Sequence, residues 1–366
     1  MSTTATSNRL FSLDVFRGLT MFLLVAEAAG FHHNLGELGK DNAVIGVIAD
    51  QLHHHPWHGL RFWDLIQPYF MFIVGVAMPF SLRKRLATGS RKAATRHILQ
   101  RCFLLFAFGV LLHCVYSHAL VWELWNVLVQ LAFTILIAYA IMNLPHKAQV
   151  VISLGLLVLI EVCYRLYNPE DPYNNGQSFG SWTDMLFMGK INGGGWVTIN
   201  FIPTAAHTIW GVLCGQILLS DKSPANKIKP FIQWGIILLV LGYALDLLQI
   251  TPIIKRLATS SFTLASGGWA ILTLALFYWW IDIKGNHKKW LRIFSVVGTN
   301  SIFIYLFAET VGVQWFRDFG KIFTHGLLSP LGVPENMVMV INALFVLFMF
   351  WYLTYFLDKK KVYFKV

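Results

Sequence analysis

Long apolar stretches alternate with short polar segments along almost the whole chain. Each stretch is close to the roughly 20 residues that an α-helix needs to cross ~30 Å of hydrocarbon. Turn-forming residues separate several of them, including Pro145, the Asn- and Pro-rich segment 168–176 and Pro224. The pattern predicts ten membrane spans: 12–31, 63–82, 98–117, 121–142, 148–167, 199–219, 231–250, 262–283, 293–315 and 337–357. We therefore expect an all-α, polytopic membrane helix bundle that forms one transmembrane domain over residues 1–366.

Composition supports a membrane protein over a soluble one. Only 13% of the residues are charged and 56% are hydrophobic, whereas charged residues make up about a quarter of a typical soluble domain. This composition excludes a soluble globular protein and an intrinsically disordered one. The four cysteines all lie in apolar stretches without a C-x-x-C pair, so we interpret them as core residues without a disulfide or metal role.

The positive charges predict the orientation in the membrane. The net charge is 29 − 18 = +11, which in a membrane protein marks cytoplasmic loops, so we expect no nucleic-acid partner. Basic residues collect in four segments: 83–96, 222–229, 284–292 and 358–366. With ten spans these segments share one side, and both termini are then cytoplasmic. Residues 1–10 are expected to be a disordered N-terminus, 358–366 a basic tail, and 32–62 and 168–198 periplasmic loops.

Several ionisable side chains fall inside predicted spans, where each costs on the order of 2.5–3.5 kcal/mol and is a candidate functional residue. Glu27 lies near the outer end of the first span and Glu309 near that of the ninth, while His207 lies in the sixth. Asp14 and Arg17 are three residues apart at the inner end of the first span, which favours a local salt bridge. For each residue, a structural role inside the bundle remains an alternative to catalysis.

Histidines are concentrated between the first two spans: His32, His33, His53, His54, His55 and His58. An exposed loop without a role, a metal site and a single catalytic histidine are the three interpretations. Imidazole titrates near ~6.5, which suits proton transfer at neutral pH. The spacing matches no known zinc pattern, so we expect no metal. Asp64, at the start of the second span, could cap the helix, orient a histidine, or do both.

Short segments along the chain resemble one known family. They are Leu13-Asp14-Val15-Phe16-Arg17-Gly18-Leu19, Trp57-His58-Gly59-Leu60, Asp64 to Gly75, Pro252 to Lys255 with Ser261-Phe262, Gly298 to Ile302, and Lys360 to Lys365. In this order they resemble the heparan-α-glucosaminide N-acetyltransferase family of transmembrane acyltransferases. The large luminal domain of animal members is absent, so we expect a bacterial-type member in the inner membrane.

The resemblance implies transfer of acetyl from cytoplasmic acetyl-CoA to the amine of a terminal glucosamine, of heparan, heparin or a related amino sugar, on the periplasmic side. The family's active histidine lies three residues before a tryptophan, and counting back from Trp57 gives His54. A shift of one residue would give His53 or His55 instead. Direct transfer and an acetyl-histidine intermediate both remain open.

One position departs from the family. Members carry an asparagine ten residues after the glycine of the first motif, where this chain has Ala28 beside Glu27. Either Glu27 takes over the polar role or the acceptor differs. We therefore expect catalytic roles for His54 or His55, Asp64 and Glu27.

Further residues are assigned to the donor or the acceptor side by their predicted depth in the membrane and by their charge. We expect the acetyl-CoA contacts to be Arg17, Asp14, Arg83, Lys84, Asn300 and Ser301. We expect the acceptor contacts to be Glu309, Trp57, Lys255 and His207. Partners would be the amino sugar or oligosaccharide acceptor and the lipid bilayer, with a homodimer as an option. The alternatives are an O-acyltransferase of an envelope glycan and a sugar or cation transporter.

Overall fold

The chain folds into a bundle of α-helices, and the computed structural model describes residues 10–364. The helices are α1 (Phe11–Ala28), α2 (Phe31–Gly39), α3 (Ala43–Gln51), α4 (Ile66–Thr88), α5 (Arg91–Ser117), α6 (Val127–Ile141), α7 (His146–Tyr167), α8 (Phe179–Met188), α9 (Phe201–Leu219), α10 (Pro224–Leu247), α11 (Ser260–Phe277), α12 (Arg292–Thr299), α13 (Ser301–Phe307), α14 (Val313–Leu328) and α15 (Glu335–Lys359). No β-strand occurs within residues 10–364. The all-α prediction is confirmed.

Seven helical segments are long and apolar enough to cross a membrane. They are Phe62–Thr88, Arg91–Ser117, His146–Tyr167, Thr198–Leu219, Pro224–Leu247, Ser260–Ile283 and Glu335–Lys359. An eighth arises if Lys289–Thr299 and Ser301–Leu331, which are bent by 71° at Asn300, form one broken span. The protein is therefore a multi-pass membrane protein, while the number of ten spans remains a prediction.

The two other predicted spans correspond to α1 and α6. Helix α1 has 18 residues but carries three charges, and α6 has 15 residues, which gives about 22 Å at 1.5 Å per residue. The span predicted from residue 121 begins only at Val127, because the Asn126 side chain accepts the Leu128 N–H at 2.8 Å and caps the helix. Residues 121–126 are therefore loop, which corrects the prediction.

The two long predicted loops are partly helical. Segment 32–62 contains most of α2 and all of α3, and segment 168–198 contains α8. Most of the predicted N-terminal segment, residues 1–9, and the last two residues of the chain lie outside the described residues. The side of the membrane that each loop faces remains a prediction.

Helices α4 and α9 pack closely at the centre of the bundle through glycines. A Cβ on Gly75 would lie 2.1 Å from the Thr208 carbonyl oxygen, and one on Gly211 would lie 2.2 Å from that of Phe72. Such small-residue contacts let membrane helices approach closely. We call this contact the α4–α9 seam.

The outer helices α5, α7 and α10 present apolar side chains away from the core. Phe103, Val151 and Val240 are each more than 60% exposed. Large apolar exposure on several helices is expected of a surface that faces lipid. The peripheral helices therefore shield a central group, α4, α9 and α11, whose spans are mostly buried.

Candidate active site

A cavity of about 500 Å³ extends through the bundle alongside α1, α4 and α6. Helix α1 contributes Arg17, Met21, Leu24 and Glu27, which lie three or four residues apart on one helical face. The ten residues from Arg17 to Glu27 correspond to about 15 Å along the helix axis. The cavity therefore runs along α1 from Arg17 to Glu27, and we call the part beside Arg17 the inner end of the cavity and the part beside Glu27 its outer end.

Three ionisable side chains meet at the outer end. The His54 Nδ1 atom lies 3.0 Å from Asp64 Oδ1 and 3.0 Å from Lys255 Nζ, and Lys255 Nζ lies 3.6 Å from Asp64 Oδ1. Asp64 and Lys255 are buried, whereas His54 is half-buried and lines the cavity. We call these residues the His–Asp–Lys cluster.

Local backbone geometry places Asp64. It is the third residue of the short 3₁₀ turn Phe62–Leu65 before α4, where its Oδ2 atom accepts the backbone N–H of Arg61 at 2.9 Å and of His55 at 3.2 Å. The other oxygen is left to contact His54. Asp64 therefore caps the turn and contacts the histidine at the same time, as the sequence allowed.

Lys255 comes from the segment between α10 and α11, almost two hundred residues further along the chain. The backbone N–H of Gly59 donates to the Ile253 carbonyl at 2.8 Å and ties this segment to the histidine loop. The contact brings Lys255 beside His54.

The surroundings favour a neutral His54. Burial lowers the pKa of this imidazole, the adjacent Lys255 lowers it further, and the hydrogen bond to Asp64 opposes both. Nδ1 can donate to Asp64 in one tautomer or accept from Lys255 in the other. In the tautomer that donates to Asp64, the ring carries its lone pair on Nε2. Within residues 10–364 no group hydrogen-bonds to that nitrogen. Burial also lowers the pKa of Lys255 to about 8. The cluster thus offers a base beside a lysine cation.

Two tryptophans frame the cluster. The ring of Trp196 lies 5.7 Å from that of His54, edge to face, and Lys255 Nζ lies 5.5 Å from the Trp196 centroid. A cation over an indole ring is stabilised by the ring quadrupole. Trp63 is buried beside His54 and faces the Glu27 carboxylate. Sequence reasoning did not single out Trp196, although it directly follows the Gly193–Gly195 turn.

The neighbouring histidines have other contacts. His53 Nδ1 lies 2.8 Å from the carbonyl of Ala49 in α3, and His58 Nε2 lies 2.7 Å from an oxygen of Asp246. His55 reaches Asp64 only through its backbone N–H. Of the three adjacent histidines, His54 alone lines the cavity. No group of three or more potential metal ligands occurs within residues 10–364.

The two carboxylates predicted for the acceptor side have different positions. Glu27 lines the cavity. Glu309 lies in a π-helical segment, Ala308–Gly312, and accepts a hydrogen bond from the Tyr116 hydroxyl at 2.7 Å. It is not among the cavity-lining residues. The two glutamates are close enough to interact electrostatically.

The inner end of the cavity carries guanidinium groups. The Arg17 Nη1 atom lies 3.9 Å from Asp14 Oδ1, which agrees with the predicted salt bridge. Arg101 reaches the cavity from α5. The Arg101 Nε atom is buried without a hydrogen-bond partner, and no carboxylate pairs with this side chain within residues 10–364. Thr299 and Ser301 line the same end.

Other predicted site residues lie away from the cavity lining. Arg83 and Lys84 are exposed near the end of α4, and Trp57 packs against Arg256. His207 is buried in α9 and hydrogen-bonds to α11. Asn300 bonds to the backbone of the C-terminal segment.

The fold and the cavity define a class: a multi-pass membrane protein with a base-competent histidine at one end of an internal cavity and cationic groups at the other. Comparison with known families narrows the class. The family model described as heparan-alpha-glucosaminide N-acetyltransferase, catalytic, matches residues 9–248, well over half of the chain. The chain belongs to this family of membrane acetyltransferases, which confirms the resemblance and implies acetyl-CoA as the donor.

One curated relative from mouse, heparan-alpha-glucosaminide N-acetyltransferase, is 31% identical over 109 residues. The matched region covers 30% of this chain and spans 14% of the mouse protein. This similarity supports the family without transferring the activity of the whole mouse protein.

Proposed function

We propose that the protein transfers an acetyl group from acetyl-CoA, held at the inner end of the cavity, to the amine of an amino sugar that reaches His54 at the outer end. The observation that carries this proposal is the cavity itself, which joins the His–Asp–Lys cluster to Arg17 and Arg101. A donor and an acceptor could meet inside the bundle without either crossing the membrane.

The cluster supplies acid–base chemistry. An amine attacks a thioester only in its unprotonated form, and neutral His54 would take the proton as the new N–C bond forms. Asp64 would orient the imidazole and stabilise its protonated form. The C–S bond then breaks, and coenzyme A leaves as a thiolate that takes up the proton from the His54 imidazolium, which regenerates the neutral base. The Lys255 ammonium would stabilise the negative charge that develops on the acetyl oxygen.

The inner end supplies the donor site. Arg17 and Arg101 would pair with the phosphates of acetyl-CoA, since guanidinium groups match phosphate geometry. Thr299 and Ser301 would hydrogen-bond the pantetheine arm. Glu27, at the other end, would bind the hydroxyl or amine groups of the acceptor.

The family supports a glucosamine acceptor of heparan type or a related amino sugar. The positive-inside charge pattern supports placing the histidine end outside the cytoplasm, in the periplasm if the membrane is the inner membrane of a bacterium. Both assignments belong to the proposal.

The test uses detergent-purified protein, radiolabelled acetyl-CoA and glucosamine. The unaltered protein and His55→Ala should form labelled N-acetylglucosamine, and His54→Ala should not. A product that releases acetate under mild alkali would instead indicate O-acylation. If the unaltered protein neither forms a product nor binds acetyl-CoA, the enzyme proposal fails and the transporter alternative gains weight.

The same reagents separate the two routes of transfer. Incubation with labelled acetyl-CoA but without acceptor should leave the protein unlabelled if His54 acts as a base. Stoichiometric label that disappears on addition of glucosamine, and that His54→Ala lacks, would establish an acetyl-histidine intermediate.

A further inference from the structure

The C-terminal segment folds back onto the break between α12 and α13. Helix α15 ends at Lys359, and the Asn300 side chain then donates to the Val362 carbonyl at 3.0 Å and accepts the Phe364 N–H at 3.0 Å. Asn300 is fully buried. One amide side chain thus pairs with an N–H and a carbonyl of the segment, as a neighbouring strand would. We call residues 360–364 the tail segment.

The Phe364 ring lies at the boundary of the cavity. It stacks on Phe303 with ring centroids 4.6 Å apart and planes 15° apart. It lines the inner end of the cavity together with Arg17 and Ser301. Because the Phe364 side chain is also 49% exposed, one part of it contacts the cavity and another faces outward. The ring therefore separates the donor end from the exterior.

Phe364 also borders a second space. An apolar depression of about 380 Å³ between α5 and α13 is lined by Phe364 and Ile302, which also line the main cavity. Moving Phe364 would join the two spaces and widen the inner end. The tail segment thus separates the main cavity from the second space.

Separate contacts hold α15 in place. The Arg292 Nη2 atom lies 3.6 Å from Asp358 Oδ2, and the Trp351 indole N–H donates to the Ile293 carbonyl at 3.1 Å. These contacts tie α15 to α12 before the tail segment begins. The Tyr363 hydroxyl also donates to Asp358 at 3.2 Å. Because the contacts that hold α15 are separate from the Asn300 and Phe303 contacts of the tail segment, Phe364 can move while α15 stays packed.

We propose that the tail segment is a latch over the inner end of the cavity, that it opens to admit acetyl-CoA and closes behind it, and that Asn300 is the positioning residue that holds it closed. This inference rests on the proposed function for the identity of the ligand. The existence of the latch can be tested without any transfer reaction.

The first test measures access to the cavity. Ser301→Cys places a thiol at the inner end, in a background in which the four native cysteines are replaced by alanine, and a water-soluble maleimide reports its labelling rate. Phe364→Ala should raise that rate at least tenfold. Phe356→Ala is the matched control, because Phe356 is similarly exposed at 46%, lies near the same end of α15 and does not line the cavity. Equal rates with and without the Phe364 ring would overturn the latch.

The second test links the latch to the donor. Phe364→Trp restores a ring and should restore slow labelling, whereas a merely destabilised fold would not be rescued. Acetyl-CoA should slow labelling of Ser301→Cys when the tail is unaltered, and Phe364→Ala should raise KM for acetyl-CoA severalfold. If Phe364→Ala is labelled faster but acetyl-CoA gives no protection, the tail segment closes the cavity and its role in donor binding is overturned. This outcome distinguishes failure of the proposed function from failure of the latch.

Discussion

The two ends of the cavity differ in how their charges are satisfied. At the outer end, Asp64 is paired with His54, Lys255 and two backbone N–H groups. At the inner end, Arg101 has no carboxylate partner within the described residues. A buried cation without a partner is costly unless an anion joins it. The charges of the outer end are therefore paired within the protein. At the inner end Arg17 is paired with Asp14, and among the described residues Arg101 has no carboxylate partner, which is where the proposed function places a phosphate of acetyl-CoA.

The largest expected effect is that of His54→Ala. If the outer end performs the proton transfer, kcat/KM should fall by about 10²–10⁴-fold, the range that general acid–base catalysis contributes. Steady-state kinetics with saturating acetyl-CoA measures this fall. His55→Ala is the matched control, because that ring does not line the cavity. Greater loss in His55→Ala than in His54→Ala would reverse the assignment.

Asp64→Asn should have the next largest effect. The change keeps the shape but removes the charge that orients His54, and loss of such a supporting group typically costs about 10–100-fold in activity. Asp50→Asn serves as the control, since Asp50 is a 68% exposed carboxylate beyond the cluster. Thermal unfolding curves first establish that both variants fold like the unaltered protein, and their kcat values are then compared. Full kcat in folded Asp64→Asn would exclude an orienting role.

At the inner end, Arg101→Gln should weaken donor binding. A hydrogen bond to a charged group contributes about 1.5–3 kcal/mol, so KM for acetyl-CoA should rise roughly 10–100-fold with a smaller change in kcat. Arg83→Gln is the control, because it removes an exposed arginine that does not line the cavity. An equal rise of KM in both variants would indicate a general charge effect instead of a donor site.

The smallest effect is a shift in pH dependence. Burial and Lys255 lower the pKa of His54, so the imidazole stays neutral at lower pH and the acidic limb of the kcat/KM profile should lie below ~6.5. Lys255→Met removes the nearby cation, which should raise the pKa of His54 and move that limb to higher pH. A limb that stays in place, or moves to lower pH, would show that Lys255 does not act on His54.

Much of the fold could be predicted because hydropathy reports directly on helices that cross a membrane. The exceptions have local causes that apolar content does not reveal. Asn126 caps α6 and shortens its span, and Asn300 interrupts the ninth predicted span with a 71° bend. A single polar residue in an apolar stretch can be a cap, a hinge or a ligand contact, and only its partners distinguish these roles.

The candidate site was partly predictable for a similar reason. Asp64 and Glu27 stood out as polar residues near span ends, and His54 was assigned from the family resemblance by counting back from Trp57. The structure places His54 Nδ1 3.0 Å from Asp64 Oδ1. Arg101 did not stand out, because it lies near the end of a predicted span where positive residues are common anyway. Trp196 was hidden among 14 tryptophans. Long-range contacts, such as that of Lys255 with His54, cannot be derived from spacing in the sequence.

Under the proposed function, in which the acyl group lies in the cavity, the α4–α9 seam determines where acyl specificity could be redesigned. Helix α4 supplies Val74 and Ala77 to the cavity wall, but glycine-mediated backbone contact with α9 leaves this wall no room to retreat. Helix α6, on another side, supplies Leu131 and Ile135. Space for a propionyl or butyryl chain should therefore be created by shortening the two α6 side chains, because any attempt to shift α4 would compress the centre of the bundle.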